Sequence, residues 1–269
     1  MYVRRSTSRR GSGWGRLLMA GAIALVSLIS YLGTKQDNPV TGETQYIGIT
    51  PQQEIALGLE AAPQMAAEFG GLDPDQQSQA VVDQIGNEVV QGSSASSTPY
   101  EFEFHLLEDQ QTINAFALPG GQIFITRALF DRLQTQGELA SVLGHEIGHV
   151  VARHSAEHIA KAQLTEGLTG AAVLATYDPN NPSSANTAQI AALIGQLINL
   201  KFSRDDELEA DDLGVCFMYD TGYDPQGMVN VMEILQEASR GNQPPEFFST
   251  HPNPQNRIQA TIQNLEACP

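Results

Sequence analysis

Four of the six histidines in the chain lie within the segment LGHEIGHVVARHSAEH, at residues 143–158. They form two pairs with the same four-residue spacing, His145 with His149 and His154 with His158. Each residue of an α-helix turns by about 100°, so two imidazoles four residues apart share a face and can bind one ion. On a continuous helix His145 and His154 would point in opposite directions, about 180° apart, so one metal cannot use both pairs.

Glu146 distinguishes the first pair from the second. It directly follows His145 and completes His-Glu-Ile-Gly-His. This is the HExxH pattern, in which two histidines hold zinc and the adjacent carboxylate reaches a zinc-bound water. The second pair has no Glu in the corresponding place, so we predict a structural or solvent-facing role for His154 and His158.

A catalytic zinc also needs a third protein ligand and an open fourth position. The acidic segment FSRDDELEADDLG, at residues 202–214, offers one on a later helix. Glu207 and Asp211 are four residues apart and share a helical face, so Glu207 could bind the metal while Asp211 accepts the N–H of a ligand histidine. The same pattern also suits the solvated start of an acidic helix, and spacing alone leaves the two interpretations open.

Three motifs taken together, HEIGH, SRDDELEAD and THPNPQNRI, resemble the heat-shock-protease (HtpX) and CAAX-endopeptidase family of zinc metallopeptidases. The resemblance extends over most of residues 46–266, includes NAFALPGGQIFIT, and is strongest to exported members with a single catalytic domain. It implies a zincin-like, gluzincin-type domain that binds one Zn²⁺ through His145, His149 and Glu207. Glu146 would then be the catalytic base.

The resemblance also implies roles for three residues outside the HExxH motif. His251 matches the His-Pro histidine of the family, which lies near the metal and either caps the zinc in a closed state or steadies the oxyanion. Asp211 closes the Glu-x-x-Ala-Asp motif, and Arg257 is expected to pair with a nearby carboxylate. Two Ala/Gly/Leu-rich segments, 167–176 and 188–200, are too short to span a bilayer, unlike the spans of membrane-embedded relatives, and predict a buried helical hairpin or membrane-dipping helices.

Hydrophobic periodicity predicts an α+β fold that is mostly α, with a small antiparallel sheet before the active-site helix. Helices are predicted at 51–69, 73–90, from 137 through the histidine motif, 204–219, 225–239 and 255–265, and strands at 100–107, 112–118 and 122–126. Asn114, Ala115 and Phe116 lie on a strand that we expect to bind an extended substrate by main-chain pairing. Gly148 is expected to let this strand approach the helix closely.

The N-terminal region predicts export. Five arginines precede the first acidic residue and are followed by an apolar stretch at 17–32, with a polar linker expected at 33–45 and the catalytic domain at 46–269. The basic flank places the N-terminus inside, so the remainder would be membrane-anchored on the periplasmic or lumenal side, or released there after signal cleavage. In that compartment Cys216 and Cys268 could form a disulfide, or both could remain thiols.

Composition narrows the classes of partner. The formal net charge is −17, and the basic residues are concentrated at the N-terminus, so the domain repels phosphate backbones and nucleic acid is not an expected partner. The predicted function is a zinc metalloendopeptidase that hydrolyses misfolded or unfolded envelope proteins. The alternatives are a chaperone-like or self-inhibited zinc-binding module with little proteolytic activity, and a metal-free scaffold.

Overall fold

The structure is a computed structural model that describes residues 13–176, 201–240, 245–251 and 257. The predicted segment 188–200, the predicted helix 255–265 apart from Arg257, and Cys268 lie outside these residues. The pairing of Cys216 with Cys268 therefore stays an expectation.

The described residues are mostly helical, as the sequence predicts, and they form two small sheets where the sequence predicts one. The helices are α1 (Gly13–Leu32), α2 (Pro51–Glu68), α3 (Gln76–Gln91), α4 (Arg127–Phe130), α5 (Gln136–Val151), α6 (His154–Thr176), α7 (Arg204–Asp220), α8 (Gln226–Ala238) and α9 (Phe247–Thr250), with a short 3₁₀ helix at Ser94–Ser97. The strands are β1 (Lys35–Asp37), β2 (Thr44–Tyr46), β3 (Glu103–Leu107), β4 (Ala115–Ala117) and β5 (Gln122–Thr126).

The sheet before the active-site helix is mixed, which corrects the prediction that it is antiparallel. Its strand order is β3-β5-β4, with β5 parallel to β3 and antiparallel to β4. Gly120 and Gly121 adopt φ of 84° and 110° and turn the chain tightly between β4 and β5. The chain passes from β3 to the far edge of the sheet before this turn returns β5 to the centre, so β3 and β5 run in the same direction.

Helix α5 forms the centre of the molecule. Every residue from Glu138 to Val151 is buried, as expected of a helix that is enclosed on all sides. Its apolar side chains, Leu139, Leu143, Ile147 and Val151, belong to one core with side chains of α3, β5 and α8. The HExxH motif is therefore held on a rigid, desolvated element.

Two small-residue contacts hold α5 against α7. A Cβ atom added at Gly144 would lie 3.3 Å from the carbonyl oxygen of Gly214, and one added at Gly148 would lie 2.9 Å from the carbonyl oxygen of Ala210. Gly148 thus faces α7, and our expectation that it faces the β4 strand is wrong. The close approach is what brings Glu207 of α7 beside the histidines of α5.

The histidine segment is interrupted by a break, so it does not form the continuous helix that the sequence predicts. Arg153 adopts φ of 59°, a left-handed conformation that is uncommon for a residue with a side chain, and α6 begins at the next residue. The buried Arg153 guanidinium donates to the Glu54 carboxylate of α2 and to the Ile49 carbonyl. These tertiary bonds stabilise a backbone conformation that local sequence does not favour.

The expected linker at 33–45 is instead an antiparallel hairpin of β1 and β2. The Asn38 amide donates to the Val151 carbonyl at 2.8 Å, and the Gln45 amide donates to the Ala152 carbonyl. Because the last carbonyls of a helix lack intrahelical partners, these bonds satisfy the C-terminal end of α5. Residues 33–45 are therefore bonded to the central helix through this hairpin and do not form the separate linker that the sequence predicts.

Helix α1 precedes this hairpin and packs along α6. Residues Trp14–Leu32 form a 19-residue apolar stretch that is only 6% buried and long enough to cross a bilayer. Its length and composition suit a membrane anchor and a signal sequence equally, as the sequence indicates.

Candidate metal centre

Three helical elements bring four potential ligands to one buried place. His145 and His149 come from α5, Glu207 from the first turn of α7, and His251 directly follows α9. One ligand atom of each residue lies within 4.8 Å of those of the other three, so the group could hold a metal ion.

The distances between these atoms fit a tetrahedral zinc site. His145 Nε2 lies 3.1 Å from His149 Nε2 and 3.3 Å from His251 Nδ1. Glu207 Oε1 lies 2.9 Å from His251 Nδ1 and 3.4 Å from His149 Nε2. Ligands about 2.0–2.1 Å from a tetrahedral zinc are separated by about 3.3–3.4 Å, so the contact between Glu207 and His251 is shorter than in an ideal site, and that between His145 Nε2 and Glu207 Oε2, at 3.7 Å, is longer. Three nitrogens and one carboxylate oxygen also form a donor set that suits zinc.

Glu207 is held by the start of α7. Ser203 caps this helix and forms a capping box with Asp206, which fixes the first turn. Burial raises the pKa of Glu207, but the charge of His251, the close contacts with His149 and His251, and the charge of His145 outweigh it and hold the pKa well below the usual range. The carboxylate is therefore an anion ready to bind a cation.

Arg257 connects two buried acidic residues of α7, Glu207 and Asp211. Its guanidinium donates to both oxygens of Asp211 at 2.6 Å and to Glu207 Oε2 at 2.7 Å. Glu207 thus has one oxygen on Arg257 and the other among the histidines. His145 Nδ1 lies 2.9 Å from Asp211 Oδ1, within hydrogen-bond distance. Burial raises the pKa of Asp211, but the charge of Arg257 and the contact with His145 lower it overall.

The carboxylate of Glu146 lies next to the cluster of four potential metal ligands. It is fully buried, and neither of its carboxylate oxygens has a hydrogen-bond partner among the described residues. Oε1 lies 3.6 Å from Nε2 of His251. Burial raises the pKa of Glu146 above its ordinary value, although His251 and His145 act in the opposite direction. A buried carboxyl with a raised pKa is suited to accept and return a proton near neutral pH.

His154 contacts a residue of the cluster, which the sequence interpretation missed. His154 Nδ1 lies 2.8 Å from His149 Nδ1, and His154 Nε2 lies 3.1 Å from Glu209 Oε2. His158 instead lies 2.7 Å from Asp206, outside the four-residue cluster. The break at Arg153 redirects His154, and no feature of the pair's spacing signals it.

A cleft of about 390 Å³ reaches the cluster at His251. The cleft lies between α2, the β4 region, the start of α6 and the α9 region. Its lining residues are Met65, Glu68, Phe69, Thr112, Asn114, Phe116, Ala117, Leu118, Ser155, Phe202, Glu246, Thr250 and His251. Of the predicted substrate-binding residues, Asn114 and Phe116 line this cleft. Ala115 is fully buried beside them and does not.

The fold and this site define a class of protein. Residues 76–264 match the sequence model of Peptidase family M48, which is more than half of the chain. The chain belongs to this family, and the resemblance drawn from its three motifs is confirmed.

Both bacterial and mitochondrial proteases are similar to this chain. A beta-barrel assembly-enhancing protease of Yersinia pestis is 34% identical over 249 residues, which cover 90% of this chain and 50% of the relative. That of Escherichia coli (strain K12) is 33% identical over 183 residues, 66% of this chain and 37% of the relative. The mitochondrial metalloendopeptidase OMA1 of Arabidopsis thaliana is 36% identical over 158 residues, 59% of this chain and 30% of the relative. This chain therefore spans half or less of the length of these relatives.

Proposed function

We propose that the protein is a zinc-dependent metalloendopeptidase. The observation that carries this proposal is the cluster of four buried metal-ligand donors beside the Glu146 carboxylate, which has no hydrogen-bond partner among the described residues. A site that only stabilises the fold needs no carboxylate aimed into it without a partner. Membership of a peptidase family, and relatives named as proteases, support the same conclusion.

In this proposal His145, His149 and Glu207 are the zinc ligands. Asp211 orients His145, and Arg257 orients both acidic residues. When bound, zinc polarises the scissile carbonyl and acidifies the attacking water, whose pKa falls towards about 7. The chain's own residues then orient the substrate and move the proton.

Glu146 is the proposed general base. Its two free oxygens can take a proton from the attacking water and pass it to the leaving amine. The low-dielectric surroundings keep this carboxylate reactive, since no arginine, backbone N–H or hydroxyl among the described residues binds it.

His251 is the proposed second catalytic residue. Its Nδ1 lies beside His145 Nε2 and Glu207 Oε1, where it would supply a fourth ligand to a bound ion, so the ring would have to move before a substrate carbonyl could approach that ion. Its Nε2 has no hydrogen-bond partner among the described residues and can donate to the developing oxyanion. We expect His251→Ala to lower kcat by about 10²–10³-fold, as for the loss of one oxyanion donor. An increased rate would show that the ring only blocks the site.

The β4 edge is the proposed platform for an extended substrate. The Asn114 carbonyl accepts from the Thr126 N–H, and the Leu118 N–H donates to the Gln122 carbonyl, so alternation along an antiparallel strand points the backbone groups of Ala115 and Ala117 away from β5. Ala117 lines the cleft and offers its main chain, while Asn114 and Phe116 contribute side chains. Main-chain pairing tolerates many sequences, which suits unfolded polypeptides.

The proposed substrates are misfolded or unfolded proteins of the envelope. This rests on the bacterial relatives, which are named for enhancing β-barrel assembly. Helix α1 would anchor the catalytic domain on the exported side of a membrane, or be removed as a signal after export. A zinc-binding module without activity is not favoured, because the relatives are named as proteases and because Glu146 is aimed into the site.

Cleavage of casein, an unfolded protein, tests the proposal. The purified chain should cleave it, and a chelator should abolish cleavage that added Zn²⁺ then restores. A chain that carries zinc and cleaves neither casein nor other unfolded proteins would support the binding module. A chain that binds no zinc would support the metal-free scaffold.

A further inference from the structure

We propose that His154 is a positioning residue that fixes His149 in the tautomer able to bind metal, and that Glu209 fixes His154 in turn. The proposal deepens the proposed function, since it takes His149 to be a zinc ligand. It assigns a role to the second histidine pair of the sequence, which the HExxH motif does not use.

The contacts indicate which ring nitrogens carry a hydrogen when both imidazoles are neutral. The Glu209 carboxylate can only accept a hydrogen bond, so the facing Nε2 of His154 carries a hydrogen. In a neutral ring the other nitrogen, Nδ1, is then an acceptor. His149 Nδ1, at 2.8 Å, must therefore donate to it, and His149 Nε2 is left with a lone pair that points into the cluster.

The contact between His154 and His149 depends on the break in the helix at Arg153. On an unbroken helix His154 would be rotated about 140° from His149 and would face away. Arg153 adopts a left-handed backbone conformation and donates a hydrogen bond to Glu54, which breaks the helix. A new helix begins at His154, and the His154 ring is directed towards α5. The ring is 1% exposed and is fully enclosed.

The two ligand histidines are thereby oriented from one helix. Asp211 contacts His145 directly, whereas Glu209 reaches His149 through His154. Both acids lie on α7 with Glu207, two and four residues after it. One helix therefore supplies a proposed ligand and the acidic groups that orient the other two, so its seating on α5 sets the geometry of the whole site.

His158 provides a matched control. It has the same spacing from His154 as His149 has from His145, and it also faces a carboxylate of α7, that of Asp206. Its side chain is 22% exposed and it contacts no member of the four-residue cluster through a hydrogen bond. Its loss removes an equivalent imidazole–carboxylate contact without removing a group that contacts His149 Nδ1.

The experiment compares His154→Leu, His154→Asn and His158→Leu in the full chain. Leucine keeps the volume but removes the acceptor, whereas asparagine places Oδ1 close to the position of the imidazole Nδ1. Zinc affinity is measured by competition with a chromogenic chelator. We expect His154→Leu to bind zinc about 10–100-fold more weakly, as for other losses of a group that orients a ligand. His154→Asn should recover most of the affinity, and His158→Leu should match the parent.

A second readout is independent of zinc and of cleavage. Long-range ¹H–¹⁵N spectra of the metal-free chain report which imidazole nitrogen is protonated. His149 should carry its hydrogen on Nδ1 in the parent and in His154→Asn, and should become a mixture of tautomers in His154→Leu. Circular dichroism shows whether each variant is folded. If His154→Leu does not fold, the zinc affinity and the His149 tautomer of His154→Asn test the proposal.

Three results would overturn the proposal: parental zinc affinity in His154→Leu, equal losses in His154→Asn and His154→Leu, or Nε2 protonation of His149 in the parent. A parent chain that binds zinc but cleaves nothing would refute the proposed function alone. If the parent binds no zinc, the proposed function fails, and a loss of the Nδ1 tautomer in His154→Leu would still establish the positioning role.

Discussion

Replacing Gly148 with alanine should separate the two helices that form the metal centre. The added Cβ atom would lie 2.9 Å from the carbonyl oxygen and 3.2 Å from the Cα of Ala210, both backbone atoms that cannot rotate aside. Relieving these contacts requires α7 to move by several tenths of an ångström, and Ala210 is adjacent to Asp211 on that helix. Such a shift exceeds the roughly 0.2 Å tolerance of metal–ligand distances.

The expected magnitude combines two opposing effects. Overpacking of a close-packed interior costs about 1–3 kcal/mol, and a helical Gly→Ala change recovers about 0.5–1 kcal/mol of backbone entropy. The net loss in unfolding free energy should be about 1–2 kcal/mol. For a domain of this size this lowers Tm by about 2–8 °C.

Gly144→Ala is the matched control on the same face of α5. Its Cβ would lie 3.3 Å from the Gly214 carbonyl oxygen and 3.5 Å from the Gly214 Cα, so less movement is needed than at Gly148. We expect its losses of stability and zinc affinity to be smaller than those of Gly148→Ala. Thermal unfolding of the metal-free chain and chelator competition measure both quantities. Equal stability and equal zinc affinity in the two variants would refute the conclusion that the Gly148–Ala210 contact sets the ligand spacing.

Three further predictions concern charge and metal. Arg257→Met should lower the unfolding free energy of the metal-free chain by about 3–5 kcal/mol, because it leaves the carboxylates of Glu207 and Asp211 buried without their arginine partner. An unchanged denaturation midpoint would contradict this prediction. Zinc at about 1,000 times its dissociation constant should stabilise the parent by about 4 kcal/mol and Glu207→Gln by much less, as calorimetry with and without chelator would show. Hydrogen bonds from the Ser78 side chain and backbone lower the pKa of Asp75 to about 2, so its stabilisation is present above about pH 4 and is lost as pH falls towards 2. Asp75→Asn should therefore flatten the pH dependence of stability in that window, and an unchanged slope would count against it.

The sequence predicts the chemistry of the site better than the way the site is held. HExxH, Glu207 and His251 are local motifs whose residue types follow from the chemistry, and the structure brings these side chains together. The main helices also follow from periodicity, because amphipathic patterns report which face is buried.

The missed features depend on contacts between distant segments. The left-handed Arg153 is stabilised by Glu54 from α2, 99 residues earlier in sequence, so local propensity favours an unbroken helix. The hairpin at 33–45 is polar like a linker, and only its bonds to the end of α5 hold it in place. The sequence interpretation gives Gly148 the wrong neighbour, because a glycine does not indicate which element approaches it.

The central claim is that Glu146 moves the proton in a zinc-dependent hydrolysis, and Glu146→Gln tests it most directly. The measurement is the rate of casein cleavage by Glu146→Gln chains whose zinc content is determined on the same sample. Glutamine keeps the shape of the side chain but cannot accept the proton, so we predict a zinc content equal to the parent and no detectable cleavage. Cleavage at the parental rate by a fully zinc-loaded Glu146→Gln chain would contradict the account.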